Sequence, residues 1–275
     1  MSDAQHEPGV DLAAQVAAAR WYHAMPLPGG IVTPGDYDMP DVMGRIPFPE
    51  DLSGKRCLDV GTRDGFFAFE MERRGAAEVI GIDIFDPARV DFPHPRPKIE
   101  GELREGLEER ASTFEIAAGA LGSKVQRRDL SVYDLPGSDI GEFDFAFIGT
   151  LLLHLRDPAR ALAAIASVLK TGGTLISNEP YSVAMALSHP RKPVAQIEMR
   201  GPRPFWWIAN PAGHRQLVQS AGFEIVETSG TYLMRYGAGW ARPSRPSLLN
   251  LRDMVGWLAT RRGAPHTAVL ARCVA

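Results

Sequence analysis

The chain has 275 residues, of which 45% are hydrophobic and 23% charged, enough apolar content to bury a full core and to exclude a disordered or fibrous protein. Net charge is −3, yet residues 200–275 hold ten Arg, no Lys and three acids; this basic end permits an anionic substrate, although an Arg-coated surface is the simpler reading. The N-terminus lacks the basic start and apolar stretch of a secretory signal, and the most apolar run, Phe143 to Leu155, is too short to cross a bilayer, so a cytoplasmic protein with no membrane partner is expected.

In chain order, an Ala-rich N-terminal helix leads to Trp21-Tyr22-His23, and residues 1–50 as a whole read as a helix and lid segment. Lys55 to Val60 is a short strand; a glycine turn and a helix from Phe66 follow. Glu78 to Ile84 reads as a second strand, Leu103 to Ala120 as a helix, and Lys124 to Leu130 as a third strand. Phe143 to Ile148 is almost wholly apolar, as a strand covered on both faces should be. Asp157-Pro158 supplies an N-cap and a first-turn proline for a helix over Ala159 to Leu169, which Gly172-Gly173 is expected to stop before a fifth strand at Thr174 to Asn178. Asn210-Pro211 opens another helix that ends at Gly222, before strands at Phe223 to Glu227 and His266 to Val274. The last two strands suit an antiparallel edge unless Leu248 to Leu258 forms a crossover. Strands alternating with helices predict a parallel α/β sheet. Residues 181–209 and 230–262 do not fit the alternation and are read as insertions that wall a site at the carboxyl ends of the strands. Cys57 and Cys273 both fall in strand-like apolar segments, so no disulfide framework is expected.

The glycine turn constrains the ligand. A dinucleotide site requires Gly-x-Gly-x-x-Gly, whereas those positions are Gly61, Arg63 and Phe66, which argues against NAD or FAD. What remains is Asp59-x-Gly61-x-Arg63-x-Gly65, a strand-end acid able to accept from an ammonium group beside glycines that leave room for a small ligand. Asp83 ends the second strand, where an acid can accept both hydroxyls of a ribose. Either acid alone reads equally as a turn residue; together, at the ends of successive strands, they suit a nucleoside carrying an amino acid.

Leu58 to Gly65, Gly81-Ile-Asp83 and Phe143-Asp144 resemble the successive motifs of class I methyltransferases over roughly residues 50–180, with Arg63 in place of the family's middle glycine. The resemblance implies a Rossmann-like, mostly parallel seven-stranded sheet with an antiparallel edge strand, helices on both faces, and a methyltransferase domain spanning 51–275. It also implies S-adenosylmethionine as cofactor. Asp59, Gly61, Arg63 and Gly65 would lie by its methionine part, Asp83 and Ile84 at its ribose, and Asp129, Ser131 and Val132 over its adenine, with Gly149 closing the set. Gly149 to Pro158 and Phe205 to His214 are further similar to the tRNA wobble-uridine carboxymethyltransferase family and its shorter relatives. The carboxymethylating members carry a Tyr just before the His; Leu153 stands here, which favours ordinary S-adenosylmethionine.

Methyl transfer from a sulfonium is an in-line displacement that needs alignment and, for a hydroxyl acceptor, a general base. His154, just past strand four, is the candidate base, and Glu179, at the exit of strand five, is the candidate partner for His154 or the substrate; a helix-capping His and a solvated strand-end acid are the structural alternatives. Tyr22, His23, Trp206 and Trp207 are candidate substrate walls, with plain lid packing as the alternative. His94 and His189 have no partner at metal-ligand spacing, so no metal site is read. The leading expectation is O-methylation of a small hydroxylated metabolite, natural-product or sugar intermediate. Wobble-type tRNA modification, N-methylation of a small molecule and a non-catalytic cofactor-binding subunit are the alternatives; a nucleic-acid partner is disfavoured by the net negative charge and the lack of a Lys-rich arm, and a homo-oligomer is left open.

Overall fold

The computed structural model describes residues 11–92, 100–197, 206–241 and 260–274. Helix α1 (Leu12–Ala18) precedes the central sheet, whose first five strands, β1 (Arg56–Val60), β2 (Glu78–Asp83), β3 (Gln126–Asp129), β4 (Phe143–Gly149) and β5 (Leu169–Pro180), are mutually parallel. The last two, β6 (Phe223–Arg235) and β7 (Gly263–Cys273), pair antiparallel with each other, and β7 is also antiparallel to β5. The strand order is β3-β2-β1-β4-β5-β7-β6. The fold is the Rossmann-like class I one, with the expected antiparallel strand lying one place inside the outermost strand. The chain builds outward from β1 in one direction through β2 and β3, and in the other from β4. The carboxyl ends of β1 and β4 therefore flank a topological switch point, where open α/β sheets hold their ligands.

Helices α2 (Phe66–Arg73), α3 (Glu100–Leu121), α4 (Pro158–Val168) and α5 (Pro211–Ser220) link the strands. Asp157 and Asn210 cap α4 and α5 by accepting from the backbone N–H of Arg160 and Gly213, each followed by a proline in the first turn. The period-two alternation of strands sorts the apolar runs onto two faces. Leu58, Val60, Ala146 and Ile148 bury beneath Leu162 and Ile165 of α4, while Cys57, Phe145 and Phe147 face Phe67 and Met71 of α2. The second face also takes Trp21, Met39, Val42 and Phe48, so the N-terminal segment shares a core with the sheet. Cys57 and Cys273 are buried free thiols. Among the described residues, no helix is long and apolar enough to cross a membrane.

Two expected boundaries are corrected. The glycines at 172 and 173 do not end α4, which stops at Val168; Leu169 already pairs with Phe143, residues 170–173 loop out of the ladder, and pairing resumes at Thr174 with Phe145. The strand expected to finish at Glu227 runs on to Arg235, because β7 pairs along its whole length and two irregularities, at Ile225/Glu227 and Thr228/Thr231, absorb the turn-like Thr228-Ser229-Gly230. Residues 230–235 are thus sheet rather than lid. In the other insertion, a six-residue helix (Val183–Ser188) and an antiparallel ladder between Ala195–Ile197 and Trp207–Ala209 are formed. Leu248 to Leu258 lies outside the described residues.

Candidate active site

The turn after β1 is shaped by three left-handed residues. Gly61 (φ +80°), Arg63 (φ +54°) and Gly65 (φ +89°) fold the chain back on itself, and the N–H groups of Gly61 and Thr62 donate to the Ile82 carbonyl at 2.9 and 3.1 Å, tying the turn to β2. Arg63 thus holds a left-handed conformation of the kind that glycine adopts without strain. Gly65 has no alternative: a Cβ there would meet the Phe69 ring at 2.4 Å and the Phe114 ring at 2.8 Å. Strain at positive φ adds to the steric cost, so Gly65→Ala is expected to lower stability by about 2 kcal/mol in urea denaturation. An unchanged midpoint would show that the aromatic rings move aside freely.

Asp64, which the sequence reading passed over, latches the N-terminal segment onto this turn. Its buried carboxylate accepts from the backbone N–H groups of Tyr22 and His23 at 3.0 and 2.9 Å and also bonds the His23 ring Nδ1. Burial opposes ionisation of Asp64, but the His23 contacts and nearby Arg63 prevail and hold its pKa below the ordinary value. Tyr22 is thereby set over the pocket, its ring 3.7 Å from the Arg63 guanidinium carbon.

One cavity, at the switch point, is lined by Asp59, Gly61 and Arg63 of the turn, Asp83 at the end of β2, Arg110 of α3, Gly149, Thr150, Leu151 and His154 after β4, Asn178 of β5, and Tyr22 and His23. Eight of the residues singled out from sequence therefore meet around a single space: Tyr22, His23, Asp59, Gly61, Arg63, Asp83, Gly149 and His154. Gly65 sits at the N-cap of α2 behind them. Asp59 is buried, one carboxylate oxygen has no hydrogen-bond partner, and burial pushes its pKa up to about 7 against the pull of the Thr62 hydroxyl and the Ala68 N–H. Asp83 accepts from Ile84 N–H at 2.8 Å through Oδ1, while Oδ2 is buried without a hydrogen bond. Asp59 thus presents an acceptor atom with no protein donor, and Asp83 Oδ2 has the Arg127 guanidinium 3.6 Å away but no hydrogen bond, which fits a ligand bearing an ammonium group and vicinal hydroxyls.

The other candidates lie outside this space. Asp129 accepts from Phe85 N–H and Arg89 Nη1, and the Ser131 hydroxyl accepts from Tyr133 N–H at the start of the short helix that holds Val132; all three sit at the β3 end, beyond the lined cavity. Trp206 donates from its backbone N–H to Leu153 O at 2.7 Å and from its ring to Asp91 O at 2.6 Å, and Trp207 donates to Arg156 O at 3.0 Å. The Trp206 backbone and the Trp207 indole thus brace the loop that carries His154. The His189 ring bonds the neighbouring Ser188 hydroxyl; His94 and Phe205 lie outside the described residues. Among the described residues no group of three His, Cys, Asp or Glu side chains is arranged to hold a metal.

Glu179 also acts behind the wall. Its Oε1 accepts from the N–H groups of Leu151 and Leu152, both at 3.1 Å, capping the short helix Leu152–His154. Burial raises its pKa to about 8, opposed by those N–H groups. The folded protein therefore holds a proton that the unfolded chain, titrating near 4.5, releases. This contribution to stability is complete below pH 4.5 and is lost as pH rises through about 8. Glu179→Gln cannot ionise, so its melting temperature is expected to fall less than the wild type's between pH 5 and 8.5; parallel curves would contradict a protonated Glu179.

Beside His154 the structure reveals a polar group that the sequence reading did not find. Thr150 is β-branched yet left-handed (φ +52°), a rare conformation that tends to mark functional sites. The His266 ring donates from Nδ1 to Ala264 O at 3.0 Å, so its Nε2, 3.2 Å from the Thr150 hydroxyl, accepts the threonine proton. Tyr232 donates to Asn178 Oδ1 at 2.7 Å nearby. Only strand pairing brings 150, 178, 232 and 266 together. The His154 side chain is exposed at the cavity mouth, and the protein packed around it, with the charges of Arg63 and Arg110, pushes its pKa down.

The sheet order and the acid-lined pocket at its switch point define a class I methyltransferase. The chain belongs to the family described as Methyltransferase domain, which it matches over residues 36–228, and it is an S-adenosylmethionine-dependent methyltransferase. It is 28% identical over 213 residues to a ubiquinone biosynthesis O-methyltransferase of Xanthomonas euvesicatoria pv. vesicatoria, covering 76% of each chain. It is 35% identical over 124 residues to the tRNA U34 carboxymethyltransferase of Campylobacter hominis, covering 45% of this chain and 35% of that protein. In structure it resembles the cyclase SpnF at a TM-score of 0.50 and 19% identity, with 95% of this chain and 92% of that one covered; this likeness concerns the fold alone.

Proposed function

We propose that the enzyme methylates a hydroxyl group of a small metabolite, such as a natural-product or sugar intermediate, with His154 as general base. The observation that carries this reading is the imidazole of His154 lining the same cavity as Asp59 and Asp83. Asp83 would accept the ribose hydroxyls and Asp59 the amino group of S-adenosylmethionine, on the glycine turn of Gly61 to Gly65. When bound, the cofactor supplies a methyl group made electrophilic by its sulfonium. His154 would take the proton from the acceptor hydroxyl as the oxygen bonds the methyl carbon and the carbon–sulfur bond breaks, the sulfur leaving as a neutral thioether. Glu179, Trp206 and Trp207 hold the loop on which His154 stands, and the N-terminal segment, latched by Asp64, walls the opposite side. The similarity to ubiquinone biosynthesis O-methyltransferases over three quarters of the chain supports an oxygen acceptor.

The test is incubation with isotopically labelled S-adenosylmethionine and a panel of catechol, sugar and amine acceptors, with products read by mass spectrometry. Labelled methyl ethers support the reading; label on amines alone would replace it with N-methylation. The shorter match to a tRNA-modifying enzyme keeps one second reading, which a complete lack of binding to bulk tRNA at low salt would remove.

A further inference from the structure

We propose that Arg63 and Arg110 form a clamp for a carboxylate inside the active-site pocket. The inference deepens the functional reading by naming the charge of the group recognised there. Arg63 occupies a left-handed position that glycine fills at no cost, whereas a side chain there costs about 1 kcal/mol. The chain bears that cost to place a guanidinium in the cavity, stacked on Tyr22 and so held in one orientation. Among the described residues no carboxylate lies within ion-pair distance of it, and its Nε is buried without a hydrogen-bond partner. Arg110 lines the same cavity from α3, and its Nε is also buried and unpartnered.

Among the described residues one acid reaches this pair, and it is shared. Asp83 is 4.0 Å from Arg110 and is shared with Arg127, at 3.6 Å, whose own Nε and one Nη lack hydrogen bonds. Asp64 is committed to Tyr22 and His23, and burial pushes Asp59 toward its neutral form. Each fork carries a buried Nε with no hydrogen-bond partner, and two such forks beside one cavity suit the planar oxygens of a carboxylate. Two sources offer that group: the amino-acid end of the cofactor, or an acidic acceptor.

Arg63→Gly removes the guanidinium and relaxes the backbone, so it should fold at least as well as the wild type; Arg110→Gln is the second variant. Calorimetric titrations with S-adenosylhomocysteine and with 5′-methylthioadenosine, which lacks the amino-acid end, read the first source. If the clamp holds the cofactor, each variant loses at least about tenfold affinity for the former and none for the latter. Titrations of 3,4-dihydroxybenzoate and its uncharged methyl ester into protein saturated with S-adenosylhomocysteine read the second. If the clamp holds the acceptor, the wild type prefers the acid by at least about tenfold and the variants lose that preference. Variants that keep wild-type affinity for S-adenosylhomocysteine, together with no preference for the acid in the wild type, would overturn the clamp. So would equal losses for both nucleosides. Failure of O-methylation would show instead in the labelled products, which these titrations do not measure.

Discussion

Asp83→Asn should weaken S-adenosylhomocysteine binding by ~30- to 150-fold, the loss of about 2–3 kcal/mol that follows when hydrogen bonds to a charged acceptor are removed. The carboxylate ends β2 beside the glycine turn, with Oδ1 engaged by the Ile84 N–H and Oδ2 buried without a hydrogen bond. Asparagine can still accept from Ile84, so the local backbone should survive. It offers the ribose one acceptor and an unwanted donor, and it leaves Arg127 and Arg110 without their nearest negative charge. A modest drop in melting temperature should accompany the affinity loss, but the variant should remain folded when the binding is measured. Near wild-type affinity in the folded variant would mean that the nucleoside lies elsewhere.

His154→Ala should lower kcat by ~10²- to 10⁴-fold, the range spanned by general-base catalysis, while S-adenosylhomocysteine affinity stays within about twofold. The separation of the two effects is the informative part. His154 lines the cavity on the β4 side, whereas the acids assigned to the cofactor lie at the ends of β1 and β2. Because its pKa is pushed down, the wild-type rate should not titrate with His154 between pH 6 and 8, and the loss of the base form should come only in acid. Full turnover in the alanine variant would make His154 structural. The Thr150 hydroxyl, oriented by His266 and lining the same cavity, would then be the group to test as hydrogen-bond acceptor for the substrate.

The order of strands and helices was legible because each depends on neighbours in sequence. The apolar run at Phe143, the capped starts at Asp157 and Asn210, and the glycine turn at Gly61 are all local signals. The length of β6 was not, since it is set by pairing with β7 across a gap in sequence, and Thr228-Ser229-Gly230 reads locally as a turn. The same division holds at the site. Asp59, Gly61 and Asp83 follow strand ends and could be found from periodicity. Thr150, His266 and Asn178 converge only when β4, β5 and β7 are aligned, and Arg110 enters from a helix whose register against the pocket no single motif encodes. Asp64 had a faint signal, an acid between Arg63 and Gly65 in a tight turn, but its partners Tyr22 and His23 are some forty residues away. Trp206 and Trp207 looked like substrate walls because aromatic pairs in insertions often are; their indole N–H groups instead find backbone carbonyls in the His154 loop and at Asp91.

The most direct test of this account is a crystal structure with S-adenosylhomocysteine bound. The account predicts the ribose hydroxyls on Asp83, the amino group toward Asp59, and the sulfur on the side of the cavity where His154 and Thr150 face it. A nucleoside bound away from the β1 and β4 ends, or a sulfur turned from His154, would contradict it.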